Sequence, residues 1–247
     1  FLAEYETDRN LLKFDASVLS LVERIQQQCV GLRLADSVTL DFHKMGRGHY
    51  PSSAFIVNRR EDLRFLARSV HDTPYFSDAD IRRDPAMFTL ECSRPALGPY
   101  CVMASLNAIG MNGWQMLVAR SLELAQRLKS RLEQLDYCKV LNAGTCGASV
   151  NWWVLPKGRN ASEIFDALVA GNLSSAQCER FFAEIRRLFE KREKMMDRTL
   201  DARLGFTTNF GYNPQGIEIP AWKAVFFNPL TTDEIVDRII YSIDELT

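Results

Sequence analysis

Long apolar runs are scarce in this sequence. The longest, such as Ala221–Phe227, fall far short of the roughly 20 residues needed for a membrane-spanning helix. Charge of one sign is equally scarce. The formal net charge is -1 with both signs interspersed, so there is no concentrated basic face of the kind that nucleic-acid binding requires. Neither a membrane nor a nucleic acid is an expected partner. The six cysteines, Cys29, Cys92, Cys101, Cys138, Cys146 and Cys178, form no CxxC pair and no metal-ligand spacing. That pattern predicts no metal site, and reduced, mostly buried thiols in a cytoplasmic protein. No segment resembles a signal peptide, so the triplets Asn160-Ala-Ser162 and Asn172-Leu-Ser174 carry no weight as glycosylation sites. Internal repeats and low-complexity tracts are also missing. Position 1 is not methionine, and Phe1-Leu-Ala-Glu-Tyr5 has the character of the middle of an element; the chain is expected to be a piece of a longer polypeptide.

What is present is the composition of a globular protein with a real core. Of 247 residues, 47% are hydrophobic and 25% charged, enough for one large domain or two ordinary ones. Apolar periodicity predicts a helix over Ser17–Val30, strands over Ser37–Leu40 and Ser53–Asn58, and a helix over Gly98–Ile109 ended by the Gly110-Met-Asn-Gly113 turn. A long amphipathic helix over Gln115–Leu135 follows. Further on, Tyr137–Leu141, Ser149–Leu155 and Trp222–Phe227 have strand character, and Ser162–Ala170, Ala176–Met196 and Thr232–Leu246 helix character. Thr231 and Glu234 have capping-box spacing for the last helix. Ala54-Phe-Ile-Val57 is a continuous apolar run of the kind found in sheets covered on both faces. The stretch from His71 to Met87 is polar, with Pro74, Pro85 and four aspartates, and is expected to be a loop of the length that often covers an active site.

The most informative segment is Ala35-Asp-Ser-Val-Thr-Leu-Asp41-Phe-His43-Lys44. A strand delivers its last side chains to a turn that carries histidine and lysine side by side. A lysine that condenses with an aldehyde must be able to become neutral, and partial burial with a nearby positive charge would depress its pKa to that end. A phosphate nearby would need hydroxyls or an imidazole, for which Ser37, Thr39 and His43 are the candidates. A bare His-Lys pair, by contrast, is more often a surface lysine beside a satisfied histidine.

The longer string, Ala-Asp-Ser-x-Thr-x-Asp-x-His-Lys-Met, resembles the lysine motif of group II pyridoxal-phosphate decarboxylases, the family of glutamate, aromatic amino-acid and diaminobutyrate decarboxylases. The continuation Gly46-Arg-Gly-His-Tyr-Pro51-Ser-Ser-Ala-Phe55 fits the glycine-rich turn into a buried strand found in that family. The resemblance implies an α/β fold of the type I pyridoxal-phosphate enzymes. Residues 1–95 would close the large cofactor-binding domain, and residues 96–247 would form bridging helices and a small α+β C-terminal domain. It implies pyridoxal 5'-phosphate as cofactor, joined covalently to Lys44, with His43 near its phosphate.

Three further sites follow from the same resemblance. Arg94, in Cys92-Ser-Arg94-Pro, matches a family arginine step and would contact cofactor or substrate, or else anchor a helix through an ion pair. Lys223, in Trp222-Lys223-Ala-Val-Phe-Phe-Asn228-Pro229, stands where the family has an arginine for the substrate α-carboxylate. Lysine offers a point charge without the planar two-point clamp, so Lys223 is either that carboxylate ligand or an exposed strand-end lysine. Tyr75, in Thr73-Pro-Tyr75-Phe76, matches the loop tyrosine that protonates Cα, with His71 as the other acid in reach of the same loop.

The aspartate that bonds the cofactor ring nitrogen and the histidine that stacks on the ring have no match here; Asp15 and Asp36 are poor substitutes. Both are expected before Phe1, in the upstream half of the large domain, on the same polypeptide or a partner chain. The implied reaction is decarboxylation of an L-amino acid to an amine, by a homodimer. The rivals are an aldehyde-forming oxidative decarboxylation, a carbon–carbon lyase, or an inactive regulatory subunit on the same fold.

Overall fold

The computed structural model describes residues 10, 13–69, 71, 85–89, 95–196 and 202–247. They fall into two compact units. One comprises Glu23–Gln115, the other Met116–Thr247 together with the stretch ending at Val22. Along this part of the chain the two units meet at 115/116. Helix α1 (Ala16–Cys29) and helix α2 (Leu97–Leu132) both run through a unit boundary. The expected break at Gly110-Met-Asn-Gly113 is present but shorter: two helical segments meet across a kink at Gly110, and 111–113 already belong to the second. Only Gly110 leaves helical geometry, at φ 67, a conformation that glycine reaches without a Cβ clash.

In the first unit, strands β1 (Ser37–Asp41) and β2 (Ser53–Val57) form a two-stranded antiparallel sheet. Its register pairs Ser37 with Val57, Thr39 with Phe55 and Asp41 with Ser53. Because side chains alternate across a strand, Thr39, Asp41, Phe55 and Ser53 share one face. The apolar run of β2 is not buried: Phe55 is 54% and Ile56 51% exposed. The side chains are those of a covered strand, and among the described residues the sheet has only two strands with no cover on these positions.

The second unit is built on a four-stranded antiparallel sheet in the order β3-β4-β6-β5, with β3 Cys138–Val140, β4 Ser149–Val154, β5 Gly205–Tyr212 and β6 Glu218–Val225. Helix α3 (Ala161–Val169) packs on β3, and α4 (Ser175–Met195) on β4, β6 and α5 (Asp233–Leu246). The core is aromatic. Trp152, Trp153 and Trp222 are fully buried, and two of the indoles find acceptors, Trp222 Nε1 donating to the Ile185 carbonyl at 3.1 Å and Trp153 Nε1 to that of Pro220 at 2.7 Å. A buried indole N–H usually finds such a partner; that of Trp152 has none among the described residues. Cys138, Cys146 and Cys178 are buried free thiols. No described helix is long and apolar enough to cross a membrane.

Two helix starts differ from expectation. The capping box belongs to α4, where Ser174 and Gln177 bond each other's backbone. At α5 the N-cap is Thr232, whose side chain makes no capping bond. What fixes α5 instead is a ladder of ion pairs to α2. Arg120 and Arg127 meet Asp233 at 2.9 and 3.2 Å, and Arg127 and Arg131 meet Asp237 at 3.2 and 2.7 Å.

The Arg120 guanidinium holds the Asp233 carboxyl below its ordinary pKa. A depressed carboxylate stabilises the fold above its unfolded pKa, and that contribution is lost as pH falls through the folded value. Asp233→Asn is therefore expected to cost about 1 kcal/mol or less at neutral pH, since these side chains are a third to a half exposed. The gap between variant and wild type should close below roughly pH 4. Urea denaturation at the two pH values measures it.

Candidate cofactor-lysine site

The chain leaves β1 at Asp41 and turns back within six residues. The turn is closed by Gly48 N–H donating to the Phe42 carbonyl at 2.7 Å, Lys44 N–H to Asp41 at 3.1 Å and His43 N–H to Ser52 at 3.1 Å. A Cβ on Gly46 would lie 2.7 Å from the Phe42 carbonyl oxygen and 2.8 Å from its Cα, so the tight return requires glycine. Gly46→Ala is expected to lower stability by about 1–3 kcal/mol through backbone overpacking, seen as a lower denaturation midpoint.

That turn gathers four polar side chains. The Lys44 ammonium sits 2.5 Å from Asp41 Oδ2, and Ser53 Oγ donates to Asp41 Oδ1 at 2.7 Å. His43 Nδ1 lies 3.0 Å from the Ser52 carbonyl and 3.4 Å from Ser53 Oγ. The Ser52 N–H also points at this nitrogen, at 3.4 Å. The Tyr50 ring lies against the imidazole, 3.9 Å between centroids. Beside the turn a cleft of about 550 Å³ is lined by Phe42, Ser52, Ser53, Pro95, Gly98 and Val102, among others, a volume within the range of small-molecule sites.

The electrostatics differ from expectation. Lys44 is 64% exposed, and its pKa is raised, chiefly by the hydrogen bond to Asp41. The Asp41 carboxyl is held low by Lys44 and then by Ser53. A depressed amine was expected from burial and a neighbouring positive charge. The structure gives an open amine with a carboxylate three residues away, and the sign reverses.

The other predicted residues are placed as follows. Thr39 lies on the same sheet face as Asp41, one alternation away. Ser37 opens the strand, on the same face as Thr39 and Asp41. Ser53 and Asp41 complete the cluster and were not singled out in the sequence. Lys223 is exposed on β6, in cross-strand register with Asn151 of β4 and Gly205 of β5, and belongs to the second unit. Tyr75 and Arg94 lie outside the described residues, as does most of the expected loop; His71 is exposed.

The sequence from residue 16 to 154 matches the pyridoxal-dependent decarboxylase conserved domain. The chain belongs to this family. The matched stretch holds the whole Lys44 cluster and stops short of Lys223. Among curated relatives, a probable L-tyrosine/L-aspartate decarboxylase from Methanoculleus marisnigri is 29% identical over 141 residues, 55% of this chain and 36% of that protein. An L-tyrosine decarboxylase from Enterococcus faecium is 27% identical over 107 residues, 42% of this chain and 17% of that protein. Among solved structures, mouse CSAD in apo form superposes with a TM-score of 0.63 at 17% identity, over 93% of this chain and 43% of that one. A Catharanthus roseus tryptophan decarboxylase in complex with L-tryptophan gives 0.59 at 15%, over 93% and 41%. The chain thus spans well under half the length of these relatives. The shared architecture is the α/β fold of the type I pyridoxal-phosphate enzymes, as the lysine motif implied.

Proposed function

We propose that this chain is the C-terminal portion of a pyridoxal 5'-phosphate-dependent decarboxylase that converts an L-amino acid to its amine and carbon dioxide, with Lys44 as the cofactor lysine. The observation that carries this reading is an open amine at the end of β1, with imidazole and hydroxyl groups gathered around it, inside the stretch that defines the family. The donor set suits a ligand that presents an aldehyde and a phosphate. One exposed amine would meet the aldehyde, and the Ser53 hydroxyl and the His43 imidazole, 3.4 Å from each other, belong to the same turn cluster.

Bound there, pyridoxal phosphate supplies an electron sink for the electron pair that carbon dioxide leaves behind. The protein's part is positioning and proton handling. Lys44 would hold the aldehyde end, and His43, its ring oriented by the Ser52 carbonyl, would hold the phosphate together with Ser53 and Thr39. Lys223 would draw the substrate carboxylate by charge alone, without the geometric selectivity of a guanidinium. Tyr75, which lies outside the described residues, would return the proton to Cα. The upstream half of the large domain covers the β1–β2 sheet and supplies the ring-nitrogen carboxylate, and the assembly is a cytoplasmic homodimer. In the same reading residues 1–95 belong to the large domain.

Incubation with pyridoxal phosphate followed by borohydride reduction should leave a pyridoxyl group on the peptide containing Lys44. An unmodified peptide at that position, with label elsewhere or nowhere, would sink the assignment. Product analysis separates the reactions: an amine with carbon dioxide supports decarboxylation, whereas an aldehyde with hydrogen peroxide points to the oxidative alternative.

A further inference from the structure

The Lys44 amine is a nucleophile left in the open, yet among the described residues its side-chain partner is a carboxylate on its own turn. Asp41 is the last residue of β1, and the backbone bond from Lys44 N–H to the Asp41 carbonyl, 3.1 Å long, fixes the two Cα atoms close together. Ser53, directly across the register from Asp41, holds the second carboxylate oxygen at 2.7 Å. Asp41 is therefore oriented from both sides, by Ser53 on one oxygen and Lys44 on the other. An exposed ion pair ordinarily loses much of its value to side-chain entropy. Here the carboxylate is held in place before the lysine arrives.

We propose that Asp41 is a positioning residue that parks the Lys44 amine as an ammonium at the end of β1 and gives it up only when the cofactor is loaded. The proposal rests on Lys44 being the cofactor lysine. Loading then requires three changes at one nitrogen. The contact with Asp41 opens, the ammonium gives a proton to the buffer, and the freed electron pair bonds to the aldehyde carbon, whose oxygen departs as water. The charged and titratable groups facing the pair are few: Tyr50 acts on Lys44 and His43 on Asp41. The Asp41 contact is the largest influence on Lys44, and its direction favours the ammonium. The consequence is a lysine protected from stray aldehydes and acylating metabolites in the cofactor-free protein, and a loading rate that climbs steeply with pH.

Two measurements on the full chain, purified free of cofactor, test this. The first is acetylation of the Lys44 peptide by acetic anhydride, followed by mass spectrometry from about pH 7 to about pH 11. Asp41→Asn should label about two- to fivefold faster than wild type near pH 8 and converge with it at the alkaline end, where the amine is neutral in both. Ser53→Ala should shift the profile the same way by less, and Asp41→Glu should stay nearer wild type. The second is the rate of pyridoxal phosphate incorporation at Lys44, trapped by borohydride, which should show the same ratio and the same convergence. A merely structural role for Asp41 would change rates equally at every pH. Superimposable profiles for wild type and Asp41→Asn would overturn the proposal. Absence of pyridoxyl at Lys44 in every variant would overturn the cofactor assignment itself, whatever the acetylation profile shows.

Discussion

Replacing Lys44 by alanine should abolish turnover of any amino acid that the holoenzyme decarboxylates, by a factor on the order of 10³ or more. Lys44→Ala removes the one group proposed to join the cofactor covalently, and neither His43 nor Ser53 can stand in for an amine as a carbon nucleophile toward an aldehyde at neutral pH. The fold should not notice. The side chain is 64% exposed and, among the described residues, bonds to Asp41, so thermal denaturation of the variant should match wild type. The experiment is amine release in the presence of excess pyridoxal phosphate, run beside a melting curve. Unchanged turnover would remove Lys44 from the mechanism, and with it the reading of the turn. Loss of turnover with an unchanged melt separates chemistry from folding, because Gly46→Ala, which strains the same turn, should lower both.

Much of the scaffold was legible because it depends on local pattern. Helices α1, α3, α4 and α5 lie within a residue or so of their apolar stripes, and β1, β2 and β4 coincide with runs of apolar and β-branched residues, whereas β6 starts at Glu218, ahead of the expected Trp222, and ends at Val225. Strand β5 was missed. Its sequence, Gly-Phe-Thr-Thr-Asn-Phe-Gly-Tyr, carries two glycines and an asparagine, and the register shifts between Thr207 and Gly211. An edge strand with an irregularity has no clean alternation to detect. The capping box was placed at α5 on spacing alone, which says nothing about where a side chain points. The true one, at Ser174 and Gln177, has the same spacing and was equally open to reading.

At the site, the lysine and histidine were legible as a string, and their electrostatics were not. Asp41 stands three residues before Lys44, so the pair was visible in principle. What the string could not carry is the register that sets Ser53 opposite Asp41 and turns the carboxylate toward the amine. A pKa depends on which neighbours meet in space, and the nearest charge proved negative. The exposure of β2 has a similar origin. Sequence reports the cover that a strand is built for; among the described residues Phe55 and Ile56 stay half exposed.

The second large effect is predicted far along the chain from Lys44, at another lysine. Lys129, on α2, is 2% exposed, and its ammonium donates to the carbonyls of Asn142 and Thr145 at 2.9 and 2.7 Å and to Thr145 Oγ1 at 3.3 Å. These acceptors belong to the loop joining β3 to β4. The Asn142 side chain continues the network, donating to the Ser149 carbonyl at 2.8 Å and accepting from Asn151 N–H at 2.9 Å. A buried ammonium is tolerable when its donors are engaged, and this one converts that requirement into a pin on the loop. Lys129→Met keeps the apolar stem and removes the donors, leaving the Thr145 carbonyl without its 2.7 Å partner; it should cost about 2–4 kcal/mol. Thr145→Val keeps both ammonium-to-carbonyl bonds and deletes the 3.3 Å contact together with the Thr145 Oγ1 bonds to the Asn142 carbonyl at 3.0 Å and from Asn142 Nδ2 at 3.1 Å; it should cost about 1 kcal/mol. Denaturant midpoints for the two variants measure the ratio. If Lys129→Met proves no worse than Thr145→Val, the ammonium is not what holds the loop. The site has a stake in the outcome. Asn151 sits in register with Lys223, so the loop that Lys129 fixes sets where β4 begins and, through β4, the strand that presents the proposed carboxylate ligand.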